Sequence, residues 1–256
     1  MQDLKITFVQ ANQIWEDKQA NFDNYLDLLS SVNTDLIILP EMFNTGFSMQ
    51  VRILAENWND SSSVNWLKNL ASDKNAAIYT SLIIQEDINY YNRGVFIYPS
   101  GEIQFYDKRK SFTLAKEDLS FSAGDQEVIV EYKGWKIQLQ ICFDLRFPEM
   151  VRNSLDEFGN TKYDLLLYVA NWPTKRIHHW STLLKARAIE NQCYVAGVNR
   201  IGIDNNGHEY NGCSNIISAL GDEMINKGPE ERIETVILSS KNLKDVRKSL
   251  PFLCKR

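Results

Sequence analysis

The 256-residue sequence predicts a layered α/β fold, on three observations. Strand-like and helix-like stretches alternate along the chain, the pattern of sheets covered by helices. Two continuous apolar runs, Leu36-Ile37-Ile38-Leu39 and Leu165-Leu166-Leu167-Tyr168-Val169-Ala170, read as strands buried on both faces. No Pro/Gly/Ser-rich linker divides the chain, so residues 1–256 are expected to form a single domain.

In order, Lys5 to Gln10 is a short strand, and Phe22, Tyr25, Leu26 and Leu29 give Asp17 to Val32 helical spacing. Pro40 closes the first apolar run, so Glu41 emerges at a strand's C-terminal edge, where ligands collect in α/β proteins. Ser61 to Lys74 reads as a helix capped by Ser61, Ser62 or Ser63, followed by strands over 76–84 and 94–98. The turn Pro99-Ser100-Gly101-Glu102 makes a hairpin with Ile103 to Tyr106, whose end runs out into Asp107-Lys108-Arg109-Lys110. Phe112 to Gly124, with Glu117 inside it, is expected to be irregular.

Trp135, Ile137, Leu139 and Ile141 alternate with Lys136, Gln138 and Gln140, a strand with one apolar and one polar face. Pro148 suits a helix start and 150–158 reads as that helix, so Cys142 falls at a sharp, exposed strand-to-helix corner. The second buried run, from Tyr163, ends in Asn171-Trp172-Pro173. A helix over 177–191 follows, with Trp180, Leu183, Leu184, Ala188 and Ile189 on its apolar face. Strands over 194–199, 215–219 and 233–238 and a helix over 242–249 complete the chain, before the apolar Leu250-Pro251-Phe252-Leu253.

Composition narrows the function. A net charge of -5 gives no general attraction to nucleic acid or acidic membrane, and 44% hydrophobic residues suffice for a sizeable core. Small-molecule chemistry is expected. The N-terminus lacks a signal-peptide pattern and no segment could span a membrane, so a cytoplasmic protein is expected. Cys142, Cys193, Cys213 and Cys254 show no CxxC spacing, which argues against a zinc site or a dithiol redox motif and for free thiols.

Singly, these residues say little: a free cysteine is most often an inert buried thiol, and a loop carboxylate is usually solvated. The three histidines, His178, His179 and His208, accompany no strand end, so a cysteine nucleophile would need another base. A buried carboxylate can serve, because burial raises its proton affinity. A neighbouring lysine can stabilise the oxyanion formed when a thiolate attacks a carbonyl. Glu41, Lys108 and Cys142, each at a strand end, would together make one acyl-transfer site.

Leu39-Pro40-Glu41-Met42-Phe43, Tyr106-Asp107-Lys108-Arg109 and Ile141-Cys142-Phe143-Asp144-Leu145-Arg146-Phe147-Pro148 resemble, in order, the three signature segments of the nitrilase superfamily of carbon-nitrogen hydrolases. Tyr168-Val169-Ala170-Asn171-Trp172-Pro173, Ala186-Arg187-Ala188-Ile189-Glu190-Asn191-Gln192 and Gly197-Val198-Asn199-Arg200 are most similar to the bacterial omega-amidase branch. The resemblance implies a four-layer αββα sandwich forming a homodimer, with segment 241–256 near the subunit interface. It further implies Cys142 as nucleophile, Glu41 as general base, Lys108 as oxyanion partner and Glu117 as a second glutamate orienting lysine and substrate. No metal or organic cofactor is implied. The implied substrates are 2-oxo dicarboxylate monoamides such as 2-oxoglutaramate and 2-oxosuccinamate.

An anionic substrate end calls for a cation, for which Arg176 is the candidate. Arg146 and Arg187 are expected to pair with nearby carboxylates, Phe43 and Trp172 to wall the pocket beside Asn171, and the Phe143 N–H to join Lys108 at the oxyanion. An N-carbamoyl hydrolase or a nitrilase would use the same three residues, and a catalytically silent binding protein or a redox module built on Cys142 would keep the scaffold.

Overall fold

The computed structural model describes residues 1–226 and 228–253. In chain order it contains β1 (Leu4–Gln10), α1 (Lys18–Leu29), β2 (Leu36–Ile38), α2 (Val51–Leu54), β3 (Glu56–Asn57), α3 (Ser62–Lys74), β4 (Ala77–Glu86), β5 (Asn89–Ile97) and β6 (Ile103–Asp107). These are followed by α4 (Glu117–Ser120), β7 (Ile129–Tyr132), β8 (Trp135–Ile141), β9 (Leu165–Ala170), α5 (Ile177–Asn191), β10 (Tyr194–Asn199), β11 (Ile201–Ile203), β12 (Glu209–Asn211), β13 (Asn215–Ile217), β14 (Arg232–Leu238) and α6 (Ser240–Ser249).

A seven-stranded mixed sheet runs β14-β1-β2-β4-β5-β6, with β3 beside β4, and a five-stranded sheet runs β13-β10-β9-β8-β7. Each has a parallel centre, β1-β2-β4 and β8-β9-β10, edged by antiparallel strands. Parallel centres need both faces covered, which is why Leu36-Ile37-Ile38 and Leu165 to Ala170 are fully buried. One face of the larger sheet packs against the other sheet through Phe8, Ile38, Tyr79 and Phe96, which meet Ile137, Leu139 and Ile141. Its other face carries α1 and α3, through Phe22, Tyr25 and Leu67 on Val9, Ile37 and Ile78. Trp180 and Leu184 of α5 cover the smaller sheet, completing an αββα sandwich.

Caps set the starts of α1 and α3, the latter at one of the serines the sequence offers. Asp17 accepts from the Ala20 N–H, and Ser61 from the Val64 N–H, each satisfying an otherwise orphan donor. Two expectations are corrected. The helix expected over 150–158 is a single 3-10 turn, Pro148–Val151. Beyond it, Asn153 and Asp156 bond the backbone at Tyr163, Asn191, Phe158 and Asn160, competing with helical pairing. On the polar face of β8, Gln138 is fully buried and donates to Glu127 and to the Met150 carbonyl, because that turn folds over it. The segment expected to be irregular, 112–124, contains a 3-10 turn and the short helix α4, which begins at Glu117.

Candidate active site

β2, β6, β8 and β9 deliver their C-terminal ends to one edge of the sandwich. β6 is antiparallel to β5 and β5 to β4, so it runs with β2, and Lys108 leaves on the same side as Glu41. At Cys142 the chain takes φ +44°, a left-handed conformation costing a non-glycine residue of order 1–3 kcal/mol, and enters the 3-10 turn Cys142–Arg146. This is the sharp corner the sequence predicts. It is not an exposed one: Cys142 is only 9% accessible and lies in the lining of a pocket of 560 Å³.

Lys108 Nζ donates to Glu41 Oε1 at 2.9 Å and to Glu117 Oε1 and Oε2 at 2.9 and 3.0 Å. All three groups are almost wholly buried. Glu41 Oε2 accepts from the Asn171 N–H at 2.8 Å, and the Asn171 side chain donates to the Glu41 carbonyl at 2.6 Å. Glu117 Oε2 accepts from the Phe112 N–H at 2.6 Å. The Cys142 thiol faces the Asn171 carbonyl, 3.9 Å away. Glu41, Lys108, Glu117 and Cys142, far apart in sequence, therefore share one buried cluster.

The electrostatics follow from burial. Burial pushes the Cys142 thiol well above its ordinary range, the Glu41 charge adds to this, and the Lys108 ammonium opposes it. Burial also disfavours the Lys108 ammonium, but the charges of Glu117 and Glu41 more than reverse that, so its pKa is raised. The resting arrangement is thus a neutral thiol beside a firmly protonated lysine. Such a set can pass the thiol proton to a carboxylate during attack, with a cation already beside the carbonyl oxygen.

Phe143, Asn171, Trp172 and Arg176 line the pocket. Phe43 does not. Met42 adopts φ +47°, turning the chain so that Phe43 packs on Phe22, Tyr25 and Trp66 beneath α1 and α3. The aromatic wall near the lysine is Phe47, whose ring centroid lies 5.3 Å from Lys108 Nζ. Arg187 pairs with Glu190 as expected. Arg146 has no carboxylate partner among the described residues. It lines the pocket instead, over the Trp172 ring at 4.7 Å, and proximity to Arg176 helps burial lower its pKa.

Asn92 went unread in the sequence although its Nδ2 donates to both Glu41 Oε1 and Glu117 Oε1, at 2.8 and 3.2 Å. The strand expected over 94–98 begins in fact at Asn89, and its first half, which also holds Asn89 and Arg93, carries no local signal that singles out Asn92. Among the described residues no cluster of His, Cys, Asp or Glu is placed to hold a metal ion, and no helix is long and apolar enough to cross a membrane.

A family model for carbon-nitrogen hydrolases matches residues 5–248. The chain belongs to the carbon-nitrogen hydrolase family. The omega-amidase YafV of Yersinia enterocolitica is 42% identical over 98% of this chain and 96% of its own. A 2-oxoglutaramate amidase of Bacillus subtilis is 34% identical over 86% of this chain and 84% of its own. A CN-hydrolase superfamily protein of Xanthomonas campestris, whose crystal structure carries an arsenic adduct in the active site, superposes with a TM-score of 0.96 at 40% identity, covering 99% of this chain and 97% of that one. The four-layer sandwich and the omega-amidase resemblance are both borne out for this carbon-nitrogen hydrolase.

Proposed function

We propose that the protein is a thiol amidohydrolase that cleaves the side-chain amide of 2-oxo dicarboxylate monoamides, 2-oxoglutaramate and 2-oxosuccinamate, to the acid and ammonia. The observation that carries this is the placing of Lys108 Nζ between Glu41 and Glu117, beside a pocket that Cys142, Arg146 and Arg176 help to line.

Glu41 takes the thiol proton as Cys142 Sγ attacks the amide carbon. Lys108 and the Phe143 N–H hold the oxyanion, an arrangement in which one donor is worth about 2.7–4 kcal/mol. Glu41 returns the proton to the leaving nitrogen, and the tetrahedral intermediate collapses with cleavage of its C–N bond, releasing ammonia and leaving the thioester. Water, deprotonated by the same carboxylate, attacks the thioester, and its proton finally restores the thiol. Glu117 holds Lys108, the Arg176 guanidinium receives the substrate's far carboxylate, and Asn171 and Trp172 shape the walls.

In this reading residues 1–256 work as one carbon-nitrogen hydrolase domain, in the cytoplasm, as a homodimer whose interface draws on segment 241–256. Residues 254–256, with Cys254, lie outside the described residues. N-carbamoyl compounds and nitriles would meet the same Glu41, Lys108 and Cys142, so the deciding experiment is ammonia release across a panel of amides, carbamoyl compounds and nitriles. Fastest turnover of the 2-oxo monoamides supports the reading, and preference for a nitrile or a carbamoyl compound overturns it.

A further inference from the structure

Asp144 belongs to no catalytic role described above, yet it is fully buried between the segment that bears Cys142 and the segment that bears Lys108. Its Oδ2 accepts from the Tyr106 hydroxyl at 2.8 Å and from the Ile141 N–H at 3.0 Å. Its Oδ1 accepts from the Lys110 N–H at 3.0 Å. Ile141 directly precedes Cys142, in the smaller sheet. Tyr106 and Lys110 bracket Lys108, at the end of β6 in the larger sheet. One carboxylate thus ties the two sheets together at the level of the reacting groups.

The tie is needed because each sheet carries only part of the site: Glu41 and Lys108 follow strands of one sheet, Cys142 follows a strand of the other. Most side chains between the sheets are apolar, and apolar contacts are non-directional, so they fix separation better than they fix lateral register. Hydrogen bonds are directional, and those to a charged acceptor are short and strong. The Ile141 bond also braces the backbone immediately before the left-handed turn at Cys142. A second, neutral tie, from the Tyr79 hydroxyl to the Gln140 carbonyl at 3.0 Å, lies one residue further back.

We propose that Asp144 is a positioning residue that sets Cys142 Sγ against Lys108 Nζ by clamping the two sheets at the active-site edge. The proposal rests on the amidohydrolase reading for its kinetic arm alone. A misplacement of about 1 Å can cost about 10²-fold in rate, and the substrate's far end, held elsewhere, would not feel it.

The test uses full-length Asp144→Asn and Tyr106→Phe, with the folded fraction of each measured by thermal melting. Asp144→Asn turns an amide donor towards N–H groups and should lower kcat about 10²-fold with KM within about twofold of wild type. Tyr106→Phe removes one of the three donors and should lower kcat about tenfold. Alkylation of Cys142 by iodoacetamide, followed by mass mapping, should slow in the same order as the lysine's support for the thiolate is lost, with Cys193 unaffected. If both variants melt earlier but their folded fractions keep wild-type kcat and Cys142 alkylation rates, Asp144 is merely structural and the proposal is overturned. Should Asp144→Asn fail to fold, Tyr106→Phe decides by the same criteria. If the wild type releases no ammonia from 2-oxoglutaramate, the functional reading falls, and the alkylation rates alone decide the clamp.

Discussion

Lys108 Nζ lies 2.9 Å from Glu41 Oε1, and neither group is more than 3% exposed. With Glu117 on the same ammonium, one cation bridges two buried carboxylates. Removing the cation would leave two like charges in a low-dielectric site.

Lys108→Met should therefore abolish turnover and lower unfolding stability by about 3–5 kcal/mol. Glu117→Gln keeps one ion pair and should destabilise far less while still reducing kcat. Urea denaturation beside ammonia release checks both. A Lys108→Met variant as stable as wild type would refute the shared-cation account.

The four cysteines should differ sharply in reactivity. Cys142 opens on the pocket, whereas Cys193 is completely buried with its thiol pushed up, chiefly by burial. Under limiting iodoacetamide, Cys142 should be labelled before Cys193, Cys213 and Cys254, because it alone faces the pocket with a carboxylate base, Glu41, beside it to take the thiol proton during attack. Cys142→Ala should fold normally and turn over nothing. Mass mapping that finds Cys142 labelled last would remove it as nucleophile.

Glu41, Lys108 and Cys142 were legible because each follows a strand whose period or apolar run can be read locally, and α5 was legible in its bounds, although its buried face also carries Arg187 and Asn191 while Ile189, expected on that face, is exposed. What could not be read depends on contacts across the sandwich. Asn92 matters because β5 lies opposite two carboxylates from other segments, and Asp144 because three donors from two sheets converge on it. Phe43 was misplaced because a positive φ at Met42 reverses the side its neighbour faces, which no spacing rule registers. The burial of Gln138 on the polar face of β8 was likewise unreadable, since it depends on a turn, expected to be helical, that folds back to cover it.

Asp144 should also leave a signature in pH. Burial raises its carboxyl to about 6, against the opposing Lys108 charge and the bonds from Ile141, Tyr106 and Lys110, with Tyr79 and Tyr168 the other titratable groups facing it. The native state then binds more protons than the unfolded chain between about pH 4 and 6, so this group's contribution to stability is present below that window and lost as pH rises through it. Relative to Asp144→Asn, the wild type should lose about 3 kcal/mol between pH 4 and 7. Paired denaturant melts at several pH values check this, and a difference that does not vary with pH would contradict it.

At the C-terminus Leu253 is buried but Phe252 is 66% exposed, and Gln192 holds the strand-like end by accepting from the Phe252 N–H and donating to the Leu250 carbonyl. An apolar Leu250-Pro251-Phe252-Leu253 segment at the protein surface fits an interface with a second copy. Deleting residues from Leu250 onwards should weaken self-association by at least about tenfold. Sedimentation of the truncated protein across a dilution series tests it, and unaltered association would exclude this segment from the interface.

Substrate choice should turn on the two guanidinium groups. Arg176 lies over Phe112 at 5.1 Å and Arg146 over Trp172 at 4.7 Å, both on the pocket wall, and among the described residues neither is paired with a carboxylate. The acidic rim residues are already engaged, Glu16 by the Ser48 hydroxyl and Asp204 by the Tyr210 hydroxyl. A 2-oxo carboxylate offers these arginines only oxygen acceptors, whereas glutamine would bring an ammonium towards like charge. Glutamine should therefore be hydrolysed with kcat/KM at least about 10²-fold below that of 2-oxoglutaramate. Arg176→Met should raise KM for 2-oxoglutaramate about 10- to 100-fold with little change in kcat, since the far carboxylate is bound alike in ground and transition states. Steady-state ammonia release by wild type and variant on 2-oxoglutaramate, succinamate and glutamine measures both. Equal efficiency on glutamine would sink the 2-oxo specificity, while an unchanged KM in Arg176→Met would move the carboxylate to Arg146 and leave Glu41, Lys108 and Cys142 as they stand.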